Sequence, residues 1–134
     1  MIRGTSQEFR CQLPCNFTEL VAVRVAFWQE NYNGPASYRP LPIIKTKAQC
    51  AQGDQSNVLS VTLNQEETLR FSEKRKAKAQ LRALTAAGVP IATREHLITV
   101  YPVYDDSILD GDVIPTPTYE DLILLDGQPI VQGG

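Results

Sequence analysis

The sequence has few of the residues that most often carry chemistry or cross-link small proteins. It has one histidine and three cysteines in 134 residues. An odd, low cysteine count argues against a disulfide scaffold and favours a reducing compartment. A net charge of -2 at pH 7 gives no general attraction to nucleic acid or to an anionic membrane. These shortages exclude the disulfide-rich and the strongly basic classes of protein.

Long apolar runs are also missing. There is no run of about 18 apolar residues, and no basic segment followed by a short apolar one. We therefore expect neither a transmembrane helix nor a secretory signal. What is present is ordinary globular composition, with 43% hydrophobic and 21% charged residues, nine prolines and eight glycines. This length and composition predict one domain with a hydrophobic core and many turns.

Residues 57–103 contain the clearest strand signals, and the rest of the chain can be arranged around them. Residues 58–63 alternate leucine or valine with other residues, which is the period-2 pattern of a strand with one buried face. Alternation resumes over residues 76–84, where the opposite face is polar, so antiparallel pairing is expected. Between these strands, Asn64 is predicted to cap a single helical turn, with Glu67 as its capping-box partner.

Shorter strand signals precede and follow this stretch, at residues 7–13, 21–28, 41–48 and 89–103. The row that begins at Val21 is wholly apolar and predicts a central strand. Lys45 and Lys47 share one face of the next strand, as is typical of an edge strand that resists further pairing. Gly88 is predicted to supply the positive φ of a hairpin turn. About six or seven short strands without an amphipathic helix predict an all-β fold, an immunoglobulin-like antiparallel β-sandwich.

The C-terminal segment differs from the sandwich pattern. Asp105 and Asp106 open an acidic stretch, and Pro115-Thr116-Pro117 predicts an extended spacer. We therefore divide the chain into a β-sandwich domain, residues 1–114, and an extended C-terminal arm, residues 115–134. The arm is predicted to bury an apolar strip on a neighbouring subunit and to pair its strand edges there. The strip consists of Leu122, Ile123, Leu124, Leu125, Ile130 and Val131.

Cysteine and histidine do not have the spacing of a metal site. The candidate ligands are Cys11, Cys15, Cys50 and His96. Zinc sites use paired ligands on turns, whereas Cys11 is in phase with Phe9 and Leu13 and is interpreted as a small core residue. His96 accompanies no recognisable nucleophile motif, and no glycine-rich phosphate loop is present. We therefore predict no metal, no cofactor and no catalytic residue, and hence no enzyme.

Charged clusters are interpreted as solvated surface. Glu66, Glu67 and the aspartates of residues 105–112 supply enough carboxylates for calcium or acid/base chemistry, but Asp110-Gly111-Asp112 lacks the spacing of a calcium loop. The basic run Lys74-Arg75-Lys76 lacks the interleaved aromatic residues of a nucleic-acid-binding face. Neither nucleic acid nor a membrane is therefore predicted as a partner.

Several short blocks along residues 1–114 carry a resemblance. They are Met1-Ile2-Arg3-Gly4-Thr5, Leu13-Pro14, Phe27-Trp28-Gln29, the turn from Leu63 to Phe71, Gln80 to Thr85 with Gly88, and Ile98-Thr99-Val100. They resemble a family of small uncharacterised virion-associated proteins of tailed bacteriophages of Gram-positive hosts. The turn block is the most specific, being similar to the family's Leu-Thr-Gln-Glu-Glu-Thr-Leu-x-Phe. The chain departs from the family at Ser6-Gln7, where Thr-Pro is usual, and in a longer loop over residues 30–42 and a longer tail.

The resemblance implies a non-enzymatic structural protein of the phage particle, as head decoration, head fibre, neck or baseplate component. The family's pattern is similar to the immunoglobulin-like upper-baseplate domain of phages. Other virion proteins are the implied partners, and the virion is the implied location after synthesis in the bacterial host cytoplasm. A homo-oligomer is also expected, because the apolar tail and Trp28 leave surface to cover.

A second hypothesis is a carbohydrate- or host-surface-binding β-sandwich, with a surface glycan as its partner. Sugar-binding faces need exposed aromatic residues, and the candidates here are Trp28, Tyr32 and Tyr38, in or before the long loop. Subunit interfaces use the same residue types. These three aromatic residues and the apolar strip of the arm are therefore the predicted interface residues.

Overall fold

Alternating apolar residues produce a fold in which the regular structure of the described residues is mostly short strands. A computed structural model describes residues 1–30, 41–104 and 108–109, and the backbone of residues 118–121 and 130–131. The elements are β1 Gln7–Gln12, β2 Leu20–Trp28, β3 Ile43–Thr46, β4 Cys50–Gln52, β5 Val58–Leu63, α1 Gln65–Thr68, β6 Ala77–Thr85, β7 Pro90–Ala92, β8 His96–Ile98, β9 Thr118–Asp121 and β10 Ile130–Val131.

These strands form two sheets that pack face to face. The first sheet has the order β4-β5-β1-β9, and the second has the order β10-β7-β6-β2-β3, with β8 also paired to β6. Among the described strands, every pair is antiparallel except β1 with β9. The rings of Phe9 and Phe27, one from each sheet, have centroids 5.0 Å apart. The prediction of an all-β sandwich is thus confirmed.

The core between the sheets follows the predicted alternation. The inward residues of β5 and β6 are all buried, namely Leu59, Val61, Leu63, Ala77, Ala79, Leu81 and Ala83. Burial of each leucine or valine contributes about 1.5 to 3 kcal/mol. Cys11 is fully buried and has a free thiol, which confirms its interpretation as a core residue.

The start of β2 differs from its prediction. Val21 was expected to face the core, yet it is 55% exposed. The pairing of β2 with β6 shifts between Leu20 and Ala22, and such a bulge changes which side chains face the core. Leu20 is therefore buried in place of Val21, and the predicted inward row resumes at Val23.

β3 is an edge strand as predicted, but Lys45 does not protect its edge. The Lys45 side chain is buried, and its Nζ lies 2.7 Å from Oε2 of Glu67. The interpretation of Lys45 was wrong because its partner belongs to α1, a separate element that the strand pattern does not reveal. A buried lysine requires such a carboxylate.

The turns of the central stretch follow their predictions. Asn64 Oδ1 accepts a hydrogen bond from the Glu67 amide at 2.9 Å, and the Glu67 carboxylate accepts one from the Asn64 amide at 3.0 Å. Leu69 and Phe71 then return to the interior, where both are fully buried. Gly88 has a φ of +82° in the β6–β7 hairpin. The capping box and the hairpin turn are confirmed.

Two pieces of the C-terminal arm extend the chain's own sheets. β9 pairs with β1, and β10 pairs with Ile91 and Ala92 of β7. This differs from the expectation that the strip would lie on a neighbouring subunit. Apart from β9 and β10, the strands that the structure describes leave one edge of β1 and one edge of β7 unpaired. A segment tethered to the same chain reaches such an edge at high effective concentration. Leu122 to Leu125 lie outside the described residues, so their placement stays a prediction.

Candidate interaction surface

The most specific sequence block, the turn after β5, is used to hold the fold together. Arg3 donates from Nε to the carbonyl of Phe71 at 2.6 Å and from Nη2 to that of Leu69 at 3.1 Å. Backbone hydrogen bonds between Tyr101 and both Met1 and Arg3 fix this segment. Carbonyls just after a short helix have no further helical partner, so the buried guanidinium satisfies them.

Gly4 and Thr68 continue this contact. The Gly4 amide donates to Thr68 Oγ1 at 2.9 Å, and that hydroxyl donates to the carbonyl of Thr5 at 2.8 Å. Gly4 has a φ of +79°, a conformation that costs little only for glycine. The Arg-Gly-Thr block and the turn block therefore form one hydrogen-bonded unit.

Gln29 fastens the end of β2 to the same unit. Its Nε2 donates to the carbonyls of Ser72 at 2.7 Å and Arg75 at 2.9 Å, and its Oε1 accepts from the Ser72 amide at 2.8 Å. Gln29 is buried and directly follows Trp28. The hydrogen bonds of Gln29 thereby fix the backbone that carries the Trp28 side chain.

Both glutamates of the turn have structural partners. Glu67 accepts from Lys45 Nζ at 2.8 Å, and Glu66 accepts from Nε and Nη2 of Arg70 at 2.9 Å and 2.6 Å. Paired carboxylates of this kind hold the turn in place. We call this network the turn clamp; it comprises Arg3, Gly4, Thr5, Gln29, Lys45 and residues 64–72.

Burial makes the thiols of Cys15 and Cys50 harder to ionise. Burial raises the pKa of Cys50 to about 11 despite the positive charge of Lys45. Burial, and secondarily the negative charge of Glu19, raises the pKa of Cys15. Protonated thiols are poor nucleophiles and poor metal ligands. Within the described ranges, no three histidine, cysteine or acidic side chains are grouped so as to hold a metal ion, and His96 is a buried residue opposite Ala79.

The outward side of the second sheet presents apolar residues to solvent. We call this surface the outer face; it consists of Ala22, Arg24, Ala26, Trp28, Ile44, Thr46, Lys78, Gln80, Arg82, Leu84, Pro90, Ala92 and Leu97. Ile44 is 51% exposed, and Leu84 and Leu97 are exposed as well. Single exposed apolar residues are common on proteins, but these three share one sheet face with a tryptophan.

One end of the outer face is electrically neutralised. Half-buried Trp28 lies opposite Lys78, whose Nζ is 2.6 Å from Glu30 Oε1 and 3.5 Å from Glu95 Oε1. The hydrogen bond from Lys78 lowers the pKa of Glu30, and the same bond raises the pKa of Lys78. Both groups therefore remain charged and paired across the neutral pH range.

The other end carries two arginines that face each other. Arg24 on β2 is the direct cross-strand partner of Arg82 on β6. Both are exposed, and neither forms an ion pair with any residue that the structure describes. A depression of about 490 Å³ lies over them. We call it the arginine groove; its outward lining is Ala22, Arg24, Arg82, Leu84, Pro90 and Ala92.

The predicted interface residues are only partly described. Trp28 lies on the outer face, and Ile130 and Val131 form β10 at the edge of the same sheet. Tyr32, Tyr38 and the residues from Leu122 to Leu125 lie outside the described residues, as do the aspartates at 105, 106, 110 and 112, so those predictions stay open. The opposed arginines were missed. Alternation places each of them on a polar strand face, but only the register of β2 on β6 sets them opposite each other.

Comparison with known proteins assigns neither a family nor a function to the chain. The chain matches no protein-family model, and no curated protein matches it significantly in sequence. No helix in the described part of the chain is long and apolar enough to cross a membrane. Function must therefore be inferred from the outer face, the turn clamp and the sequence blocks.

Proposed function

We propose that this protein is a non-enzymatic structural subunit of a bacteriophage particle and that it acts through protein–protein contacts. The observation that carries the proposal is the composition of the outer face, where Trp28, Ile44 and Leu97 lie on the same surface as two opposed arginines. Tryptophan and arginine are enriched in the central parts of protein interfaces. Covering this face with another protein removes apolar area from water.

The turn clamp supports a role as a rigid building block. Arg3, Gln29 and Lys45 come from three separate segments, and each binds the turn that follows β5. A surface held by such a network loses little conformational entropy when it docks, because its backbone is already ordered. Rigid presentation of a preformed face is what a particle subunit requires.

In this proposal, the location in the phage particle is inferred from the resemblance to phage proteins. Its blocks coincide with the clamp, since Arg3, Gly4 and Thr5 contact residues 68–71. We accordingly include in the proposal an immunoglobulin-like sandwich, a position in the head decoration, head fibre, neck or baseplate, and other virion proteins and copies of this chain as partners.

The test is incorporation into particles. We expect mass spectrometry of purified virions to detect the chain, and Trp28→Ala with Ile44→Ser to deplete it from particles without unfolding it. The matched control is Ile2→Ser, because Ile2 is 50% exposed, almost as exposed as Ile44, but lies outside the outer face. Absence of the wild-type chain from virions would overturn the proposal.

The alternative, a carbohydrate- or host-surface-binding module, makes a different prediction. It requires that a glycan bind the isolated protein and that Trp28→Ala abolish this binding. A glycan array read with the wild-type chain and with this variant separates the two functions. Binding that depends on Trp28, in a chain that virions lack, would replace the structural role with the carbohydrate-binding one.

A further inference from the structure

The charge of the chain is divided between two parts. Residues 1–104 contain all thirteen lysines and arginines and eight acidic residues, a net charge of +5. Residues 105–134 contain seven acidic residues and no basic one, a net charge of −7. A chain whose total charge is only −2 is therefore strongly polarised, and opposite parts of different copies attract each other.

The arginine groove is the positive end of this arrangement. Side chains directly opposite in a sheet have Cβ atoms about 5 Å apart, and like charges at that distance repel. The carboxylates nearest to the outer face in sequence, Glu30 and Glu95, both bind Lys78. Arg24 and Arg82 are thus placed to receive carboxylates from outside, over a lining of alanine, leucine and proline that suits an apolar side chain.

A segment with matching chemistry lies just after the sandwich. The Gln65 side chain holds the backbone of Leu109 by two hydrogen bonds, from the Leu109 amide to Oε1 at 2.8 Å and from Nε2 to the Leu109 carbonyl at 2.9 Å. Ile108 is 43% exposed and Leu109 is 69% exposed. In the sequence this apolar pair is flanked by Asp105, Asp106, Asp110 and Asp112.

The groove and Leu109 are associated with different sheets. The groove lies on the outward side of the second sheet, over β2, β6 and β7. Leu109 is held by Gln65 of α1, which directly follows β5 of the first sheet. A second copy is therefore taken as the partner of the groove.

We propose that the arginine groove of one copy binds residues 105–112 of another copy. Carboxylates of the segment pair with Arg24 and Arg82, and Ile108 or Leu109 covers Leu84 and Pro90. The contact is head-to-tail, since the groove of one copy receives the segment of the next, and a contact of this kind extends into rings or filaments. This proposal deepens the proposed structural function and rests on it for its purpose.

The first experiment measures binding of a labelled synthetic peptide of residues 101–114 to the full chain by fluorescence anisotropy, at low protein concentration. We expect saturable binding that weakens as salt rises. Arg24→Gln with Arg82→Gln is expected to weaken it at least about tenfold, because charge-assisted hydrogen bonds are lost. A peptide with its four aspartates changed to asparagine, tested on the wild-type chain, should lose binding equally.

The matched control is Lys74→Gln with Lys76→Gln, which removes the same charge from the exposed turn before β6. We expect this control to leave peptide binding unchanged. Equal loss in the control pair, unchanged binding in the arginine pair, or no binding of the wild-type peptide would overturn the proposal. The peptide variants test it independently if the arginine variant fails to fold.

The second experiment tests the head-to-tail geometry by sedimentation. The wild-type chain should form a series of assemblies that grows with concentration. The arginine variant and a Leu109→Ser chain carrying the four asparagines should each be monomeric, whereas their equimolar mixture should stop at heterodimers, because one groove and one segment remain. A monomeric mixture would contradict the proposal, and detection of the chain in virions would still support the structural function separately.

Discussion

Charged residues of the turn clamp form ion pairs, whereas the two arginines of the outer face do not pair with a described carboxylate. In the clamp, Lys45 binds Glu67 and Arg70 binds Glu66, because a charge removed from water needs a partner. On the outer face, Arg24 and Arg82 oppose each other without a carboxylate among the described residues, since water solvates them there. The buried ion pairs thus stabilise the fold, whereas the exposed arginines are available to bind another molecule.

The largest expected effect comes from breaking the clamp. Lys45→Ala leaves the buried Glu67 carboxylate without its lysine, and removal of one partner of a buried pair costs about 3 to 5 kcal/mol. That is a large part of a typical unfolding free energy of about 5 to 15 kcal/mol. Chemical denaturation of the two proteins measures the difference.

Two further variants show whether the pairing itself is the cause. Lys76→Ala removes an exposed lysine and should change stability by less than about 0.5 kcal/mol. Lys45→Met combined with Glu67→Leu should recover most of the loss, because apolar residues often replace a buried ion pair at little cost. If Lys45→Ala alone proves nearly neutral, the clamp does not depend on this pair.

A smaller effect of opposite sign is expected on the outer face. Arg24→Gln relieves the repulsion with Arg82 and should stabilise the protein by about 0.2 to 1 kcal/mol. The gain should shrink as salt rises, because exposed charges are screened. Adding Arg82→Gln should contribute little more, since the repulsion is already gone. A loss of stability in either single variant at low salt would show that these arginines have a stabilising partner and would remove the contrast with the clamp.

The contrast also explains what the sequence could predict. Period-2 alternation identified β1, β5 and β6 because their inward side chains are apolar, and the capping box was visible because Asn64 and Glu67 lie three residues apart. Lys45 was misassigned and Arg24 with Arg82 was missed for one reason. Their partners are remote in sequence, so only strand register and the packing of α1 bring them together.

The bulge at Val21 and the two arm strands could not be predicted from the sequence for a related reason. A bulge depends on how β2 meets β6, and β9 and β10 depend on which sheet edges other elements leave open. Local alternation contains neither kind of information. The candidate surface was likewise predictable at Trp28, because strand alternation places this residue on the face opposite the core. The arginine groove was not predictable, because it forms only when β2, β6 and β7 are in register.

The smallest expected effect links the clamp to a neighbouring thiol. Burial raises the pKa of Cys50 to about 11, and the positive charge of Lys45 acts to lower it. Because the folded pKa lies above the ordinary thiol value, burial of Cys50 contributes stability below pH 9 that is lost as the pH rises toward 11. Lys45→Met removes the positive charge and should raise the pKa of Cys50 further, as measured by the pH dependence of its alkylation in a Cys11→Ala/Cys15→Ser background. Arg24→Gln, on the outer face, should leave that pH dependence unchanged. If the pKa of Cys50 changes in neither variant, the charge of Lys45 is screened as surface charges are. If it changes equally in both, the effect is not specific to the clamp.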